Sequence, residues 1–395
     1  MKHIMSRNAF YSLTITFTIL SVLGQVSTSI YSPFFFDLAT MYGGHISIIE
    51  QSVAVFLVAF SLSQLASGIL CDYINKQTFL FCGILVFIAG TLMVALANEE
   101  NIFLMGRVVQ GLGGGVGVSV SRGLSRQIFS EEQLNTSLSL INIAFAIAPA
   151  VAPLVGTLIG ESLGTSAIFY FVFAMGLLAL LLLFSVSNTL SHFTPPVSHN
   201  VLSNTLELIK STIVKLVSVG MASGLLYGIV FCFITIAPSM VMQQFGLSKT
   251  LFSVYSLLAT LSFVVGSVLN IRLTSLSPLQ KFRGSSFCLA AFSVLFALTA
   301  FLNIGSGLII ILAYCYIMFF FIGIAMPCSV TIMLGYSETS AGFLAALTGF
   351  FHLTGAAIGA YSVTLLTLEP TDAFSLATCA LSMASTAICT TLKKH

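Results

Sequence analysis

Charge is what this 395-residue chain most lacks. Lys, Arg, Asp and Glu make up 7% of it, against roughly 25% in a soluble domain. A soluble fold of this length would need far more polar surface than 14 basic and 12 acidic residues supply. That shortage excludes a soluble enzyme, a secreted disulfide scaffold and a disordered chain. Tryptophan is absent, so any aromatic belt at a membrane surface is built from Tyr and Phe. No Gly-x-x-x-x-Gly-Lys-Ser/Thr loop is present to cradle a nucleotide. A net charge of +2 leaves no footprint for nucleic acid. The eight cysteines show no CxxC spacing and no neighbouring histidine pair. They read as small buried apolar residues, with no metal and no cofactor expected.

What the chain does have is hydrocarbon, 57% of its residues. The apolar stretches run about twenty residues without a charge, the length of a membrane-spanning helix. An outer-membrane barrel would instead alternate apolar and polar residues. The expected class is therefore an all-α polytopic membrane protein. Charges and turn residues mark twelve spans: residues 10–36, 50–71, 77–97, 102–121, 135–159, 166–187, 212–237, 251–271, 284–303, 308–334, 341–366 and 373–391. The first is read as an uncleaved span, although Lys2 and Arg7 before an apolar run resemble a signal peptide.

Orientation follows from the basic residues. With both termini cytoplasmic, twelve of the fourteen Lys and Arg fall on the cytoplasmic side. Lys249 alone lies outside, and Arg107 sits within the fourth span. Shifting the count by one helix destroys this asymmetry. The longest polar stretch, residues 188–211, reads as a cytoplasmic linker. It separates an N-terminal six-helix bundle, 1–187, from a C-terminal one, 212–395. Gly68 to Asp72 at the end of span two resembles Gly266 to Asn270 at the end of span eight, half the chain away. Parallel six-helix halves are a known transporter plan.

Four segments carry chemistry. The loop after span two holds Gly68, Asp72, Tyr73, Asn75, Lys76 and Gln77. It resembles the Gly-x-x-x-Asp-Arg/Lys-x-Gly-Arg/Lys-Arg/Lys signature of the major facilitator superfamily. Tyr73, Asn75 and Gln77 depart from it. Gly68 permits close packing, and Asp72 would pair with a cation at a cytoplasmic gate, with Arg122 as the candidate. Span four holds Arg107, Gln110 and Gly111, resembling that superfamily's Arg-x-x-Gln-Gly motif. An arginine in hydrocarbon needs a cavity or a partner. It is either a cation sensing proton or substrate, or a structural arginine satisfied by carbonyls and Gln110. Span five holds Pro149, Pro153 and Gly156, resembling the motif the superfamily associates with antiporters. Span one holds Ser27, Thr28, Ser29, Ile30, Tyr31, Ser32 and Pro33. It is similar to the Ser-Thr-Asp-Met-Tyr-x-Pro segment of the bicyclomycin-resistance (Bcr/CflA) branch of 12-helix drug:proton antiporters.

This resemblance covers nearly the whole chain. It implies the major facilitator fold and an exporter of drugs or small molecules in a bacterial inner membrane. It implies alternating access and a proton as coupling ion, with a small molecule and the lipid bilayer as partners and no enzymatic activity. A monomer is the default. An exporter of one anionic metabolite, such as a siderophore, and a metabolite importer are the alternatives. The departure at span one matters, because the branch's embedded Asp is Ser29 here. Asp37 and Glu50 are placed at the outer edge and Asp72 at the inner edge, so no deep acid remains in the N-terminal spans. His352 is the one histidine placed deep in the membrane. It is either a proton carrier or a neutral hydrogen-bonding group. Gln25, Tyr31, Asn142, Tyr227 and Phe231 complete the candidate cavity residues.

Overall fold

The computed structural model describes residues 5–70, 74–193, 201–302, 307–336 and 341–392. Its regular elements are helical, and among the described residues there is no strand. In chain order they are α1 (Arg7–Ser29), α2 (Phe35–Met41), α3 (Ile46–Leu70), α4 (Lys76–Ala95), α5 (Glu100–Ile128), α6 (Glu131–Leu163) and α7 (Thr165–Phe193). Then follow α8 (Val201–Pro238), α9 (Lys249–Arg272), α10 (Pro278–Phe301), α11 (Leu308–Leu334), α12 (Ala341–Leu365) and α13 (Pro370–Thr391). Eleven helices are long and apolar enough to cross a membrane, twelve when bent α6 counts as one span. The chain is a multi-pass membrane protein.

Turn chemistry sets the helix limits. Asn75 caps α4, its side-chain oxygen accepting from the Gln77 and Thr78 amides at 3.0 and 3.1 Å. Ser277 and Gln280 form a reciprocal capping box at α10, with Pro278 in the first turn. The first span is not one helix. Pro33 has no N–H to give the Ser29 carbonyl, so α1 stops at Ser29. A 3-10 turn, Ser32–Phe34, then leads into α2. Helix α3 begins at Ile46, after Gly43 and Gly44 at φ 111° and 93°. That is four residues earlier than charge alone placed it, and Glu50 is therefore inside the helix. Helix α6 bends by 43° between Glu131–Phe145 and Ile147–Leu163. Pro149 cannot donate to the Phe145 carbonyl, which puts the bend one turn before the proline.

The segment 188–211, expected as a linker, is helical at its described ends. Helix α7 continues to Phe193 and α8 starts at Val201. The chain divides into two compact units. One comprises Met1–His45 and Val58–Asn204, the other Ile46–Leu57 and Thr205–His395. In the first unit α5 is the hub, and its glycines make it so. A Cβ at Gly113 would strike the Phe87 backbone of α4. One at Gly115 would meet the Phe60 carbonyl of α3 at 2.7 Å, and one at Gly117 the Leu20 carbonyl of α1 at 2.6 Å. Helix backbones touch directly there, as small residues allow in lipid. In the second unit α11 packs on α9, α10 and α12.

Candidate functional site

In the first unit the site grows from the end of α1. A helix cannot satisfy its last carbonyls internally. The Ser29 carbonyl takes the Ser32 hydroxyl at 2.8 Å. The Ser27 carbonyl takes Arg107 Nη1 at 3.1 Å. Arg107 is fully buried. The same nitrogen donates to Gln110 Oε1. Its Nη2 donates to the Tyr31 hydroxyl at 3.4 Å, and the guanidinium lies 4.7 Å from the Tyr31 ring centroid. Gln110 Nε2 passes the chain on to Thr91 Oγ1 at 2.9 Å. Phe35, Phe103 and Phe169 enclose the Tyr31 ring, with centroids 5.1–6.3 Å away. A cation at the carbonyl end of a helix also meets the favourable end of its dipole. Three expected residues, Tyr31, Arg107 and Gln110, thus come together, with Thr91 as a member that no motif marked.

Helix α6 closes on the same place. Gly156 lies against the Ile30 carbonyl, with no room for a Cβ. The Pro149–Pro153 bend is therefore anchored, one turn later, to the end of α1. Pro153 is buried.

A second feature runs along α1. Thr14, Thr18, Ser21, Gln25 and Ser29 recur at helical spacing and share one face. Thr18 returns its hydroxyl to the Thr14 carbonyl at 2.7 Å. Ser21, Gln25 and Ser29 are fully buried, yet their hydroxyls and both amide atoms of Gln25 have no hydrogen-bond partner among the described residues. Buried polar atoms ordinarily have partners.

Of the expected gate residues, Gly68 lies in the last turn of α3 and Lys76 is the buried first residue of α4. Asp72 lies outside the described residues. Arg122 donates to Asn142 Oδ1 at 3.3 Å and lies 5.3 Å from the Phe145 ring centroid. This joins a residue expected at the gate to one expected in the cavity, and Asn142 is exposed. Gln77, where the signature has a base, instead donates to the Ser187 carbonyl of α7 at 3.2 Å.

In the second unit Tyr227, Phe231 and His352 cluster. The Tyr227 ring is 5.4 Å from Phe231 and 5.7 Å from His352, centroid to centroid. His352 Nε2 is 3.5 Å from the hydroxyl of buried Ser329. Phe231 is buried, and Tyr227 and His352 are half-buried. One acid lies in a setting the sequence did not show. Glu50, expected at the outer edge, is buried and accepts from Ser239 Oγ at 2.7 Å.

The family model for the Major Facilitator Superfamily matches residues 17–360. Multidrug resistance protein D of Escherichia coli (strain K12) is 25% identical over 143 residues, 36% of each chain. A bicyclomycin resistance protein homolog of Haemophilus influenzae is 25% identical over 261 residues, 65% of each. Multidrug resistance protein MdtL of Salmonella schwarzengrund is 26% identical over 215 residues, 54% of each. The matched stretches thus span about a third to two thirds of these relatives' lengths. A crystal structure of a bacterial homolog to the human lysosomal transporter Spinster, inward-facing and unoccupied, superposes with a TM-score of 0.69. The match is at 13% identity, over 98% of this chain and 96% of that one. A D-xylose–proton symporter structure gives 0.67 at 14% identity, over 95% and 97%. At these identities the likeness is one of fold.

Proposed function

The chain belongs to the major facilitator superfamily, and from that premise we propose that it is a secondary active exporter of drugs or small molecules. It works by alternating access in a bacterial inner membrane, with both ends of the chain cytoplasmic and a proton as coupling ion. It catalyses no covalent reaction and acts as a monomer. Relatives named for multidrug and bicyclomycin resistance support export, as does the proline pair of α6 beside Gly156.

The observation that carries the reading is the face of α1. Ser21, Gln25 and Ser29 present buried donors and acceptors that nothing in the described protein takes up. They are neutral, so they suit a neutral, hydrogen-bonding substrate rather than a point charge. The anionic alternative asks Arg107 to serve as counter-ion. Its guanidinium already serves Ser27, Gln110 and Tyr31, which favours the drug-export reading over it.

The test is transport in inverted membrane vesicles carrying the protein. A pH gradient is imposed, and neutral polar antibiotics, lipophilic cations and anionic metal chelators are added in turn. Gradient dissipation by the neutral compounds, needing about tenfold more compound in Gln25→Leu, is the expected result. Dissipation by chelators alone overturns the neutral-substrate reading. No proton movement alongside movement of labelled compound overturns the coupling.

A further inference from the structure

Glu50 combines features that a surface acid does not have. It lies in the second turn of α3, 5% exposed. Its Oε1 accepts the hydroxyl of Ser239 at 2.7 Å across 189 residues of sequence, and both residues fall in the second unit. Ser239 occupies an unusual backbone position. Helix α8 ends at Pro238, and residues Ser239–Gln244 wind on as a π-helical turn. Such turns are rare and recur at functional sites. Met240 and Val241, next in that turn, are buried, as are Ile49, Val53 and Ala54 around Glu50 on α3. Among the described residues, the carboxyl's hydrogen-bond partner is the Ser239 hydroxyl.

A carboxylate enclosed there would be a buried charge held by a single hydroxyl, which is costly. A neutral acid in the same place is not. Outside, in water, the preference reverses. Holding the proton and being enclosed therefore belong together, as do losing the proton and meeting water. An ionisable group within a span is by default a working group.

We propose that Glu50 is a proton-binding site. Its proton holds the first turns of α3 docked on the Ser239–Gln244 π-helical turn within the second unit. Where α3 shifts to admit water the proton leaves, and the carboxylate exchanges the single Ser239 donor for full hydration. The use of the site rests on the exporter reading. There the proton on Glu50 is the coupling ion, which replaces the acid absent at Ser29.

The experiment needs neither substrate nor gradient. Wild-type, Glu50→Gln and Ser239→Ala proteins are reconstituted in lipid and titrated with pH by infrared difference spectroscopy. Amide hydrogen exchange is followed over residues 46–57. Wild type is expected to show a protonated-carboxyl stretch that disappears as pH rises. Glu50→Gln removes that band. Ser239→Ala moves it to higher frequency, because the carbonyl loses its donor. Exchange over residues 46–57, corrected for its intrinsic pH dependence, should slow by about tenfold on acidification, the effect of one hydrogen bond. In Glu50→Gln it should be slow throughout. A titrating band unchanged in Glu50→Gln, or none in wild type, overturns the proposal. Should Glu50→Gln fail to fold, Ser239→Ala decides alone, and a band that does not move overturns it. The exporter reading fails separately, when wild-type vesicles move neither labelled compound nor protons while this band still titrates.

Discussion

Arg107 of α5 caps α1 through the Ser27 carbonyl, 3.1 Å from Nη1 and 80 residues away in sequence. That bond is one of three that pair the Nη nitrogens of a fully buried guanidinium. The end of α1 exposes carbonyls that need donors, and the Pro33 turn keeps the helix from supplying them. Gln110 and Tyr31 take further donors. The arrangement ties α1 to α5, and through Thr91 to α4.

Arg107→Ala is therefore expected to destabilise the fold. It leaves the Ser27 carbonyl, Gln110 and Tyr31 without this donor, a loss of about 2–4 kcal/mol from three hydrogen bonds in a membrane protein. Arg107→Lys keeps the charge but not the planar fork, and should recover about half of it. Thermal unfolding in detergent measures both. An Arg107→Ala protein that melts with wild type would show that the arginine is not structural.

Gly156→Ala should cost about 1–3 kcal/mol, because its methyl would enter the space of the Ile30 carbonyl. Gly123→Ala is the control. Among the described residues nothing beyond its own helix turn lies within 4 Å of a Cβ there, and alanine is the better helix former by about 0.8–1 kcal/mol. Melting temperatures of the two variants should move in opposite directions. Equal shifts would mean that α6 is not seated on α1 at this position.

Some of this was legible in the sequence. Helix α11 was readable to the residue, since Gly307 and Gly335 bracket an apolar run from Leu308 to Leu334. The Arg107–Gln110 pair was readable too, because three-residue spacing puts both on one helix face. The Ser27 carbonyl was not. Every residue has one, and no side chain announces which will be taken. The burial of Glu50 was not readable, because the charge was taken to mark the helix end. The Gly43–Gly44 turn starts α3 earlier and draws the acid inside. The break at Ser32 was missed because apolar residues continue through it, although Pro33 was there to mark it.

Gln25→Leu separates binding from folding. Its amide has no partner within the described protein, so removing it deletes no internal hydrogen bond. Stability should stay level or rise, since a buried unpaired amide is costly. Transport of a neutral polar substrate should lose about tenfold in KM, one hydrogen bond's worth. A lower melting temperature with unchanged KM would make Gln25 a packing residue instead.

Ser29→Asp restores a carboxylate on the same face of α1, four residues beyond Gln25. The neutral face then gains a charge, and charge is what selects lipophilic cations over neutral compounds. Ethidium efflux should rise and neutral-antibiotic efflux should fall, both read in whole cells of one strain. Only substrates that meet α1 at this height feel the change, so the two rates must diverge. Equal loss of both would mean that the carboxylate disturbs packing. Equal retention would place the substrate elsewhere than on the Ser21–Gln25–Ser29 face.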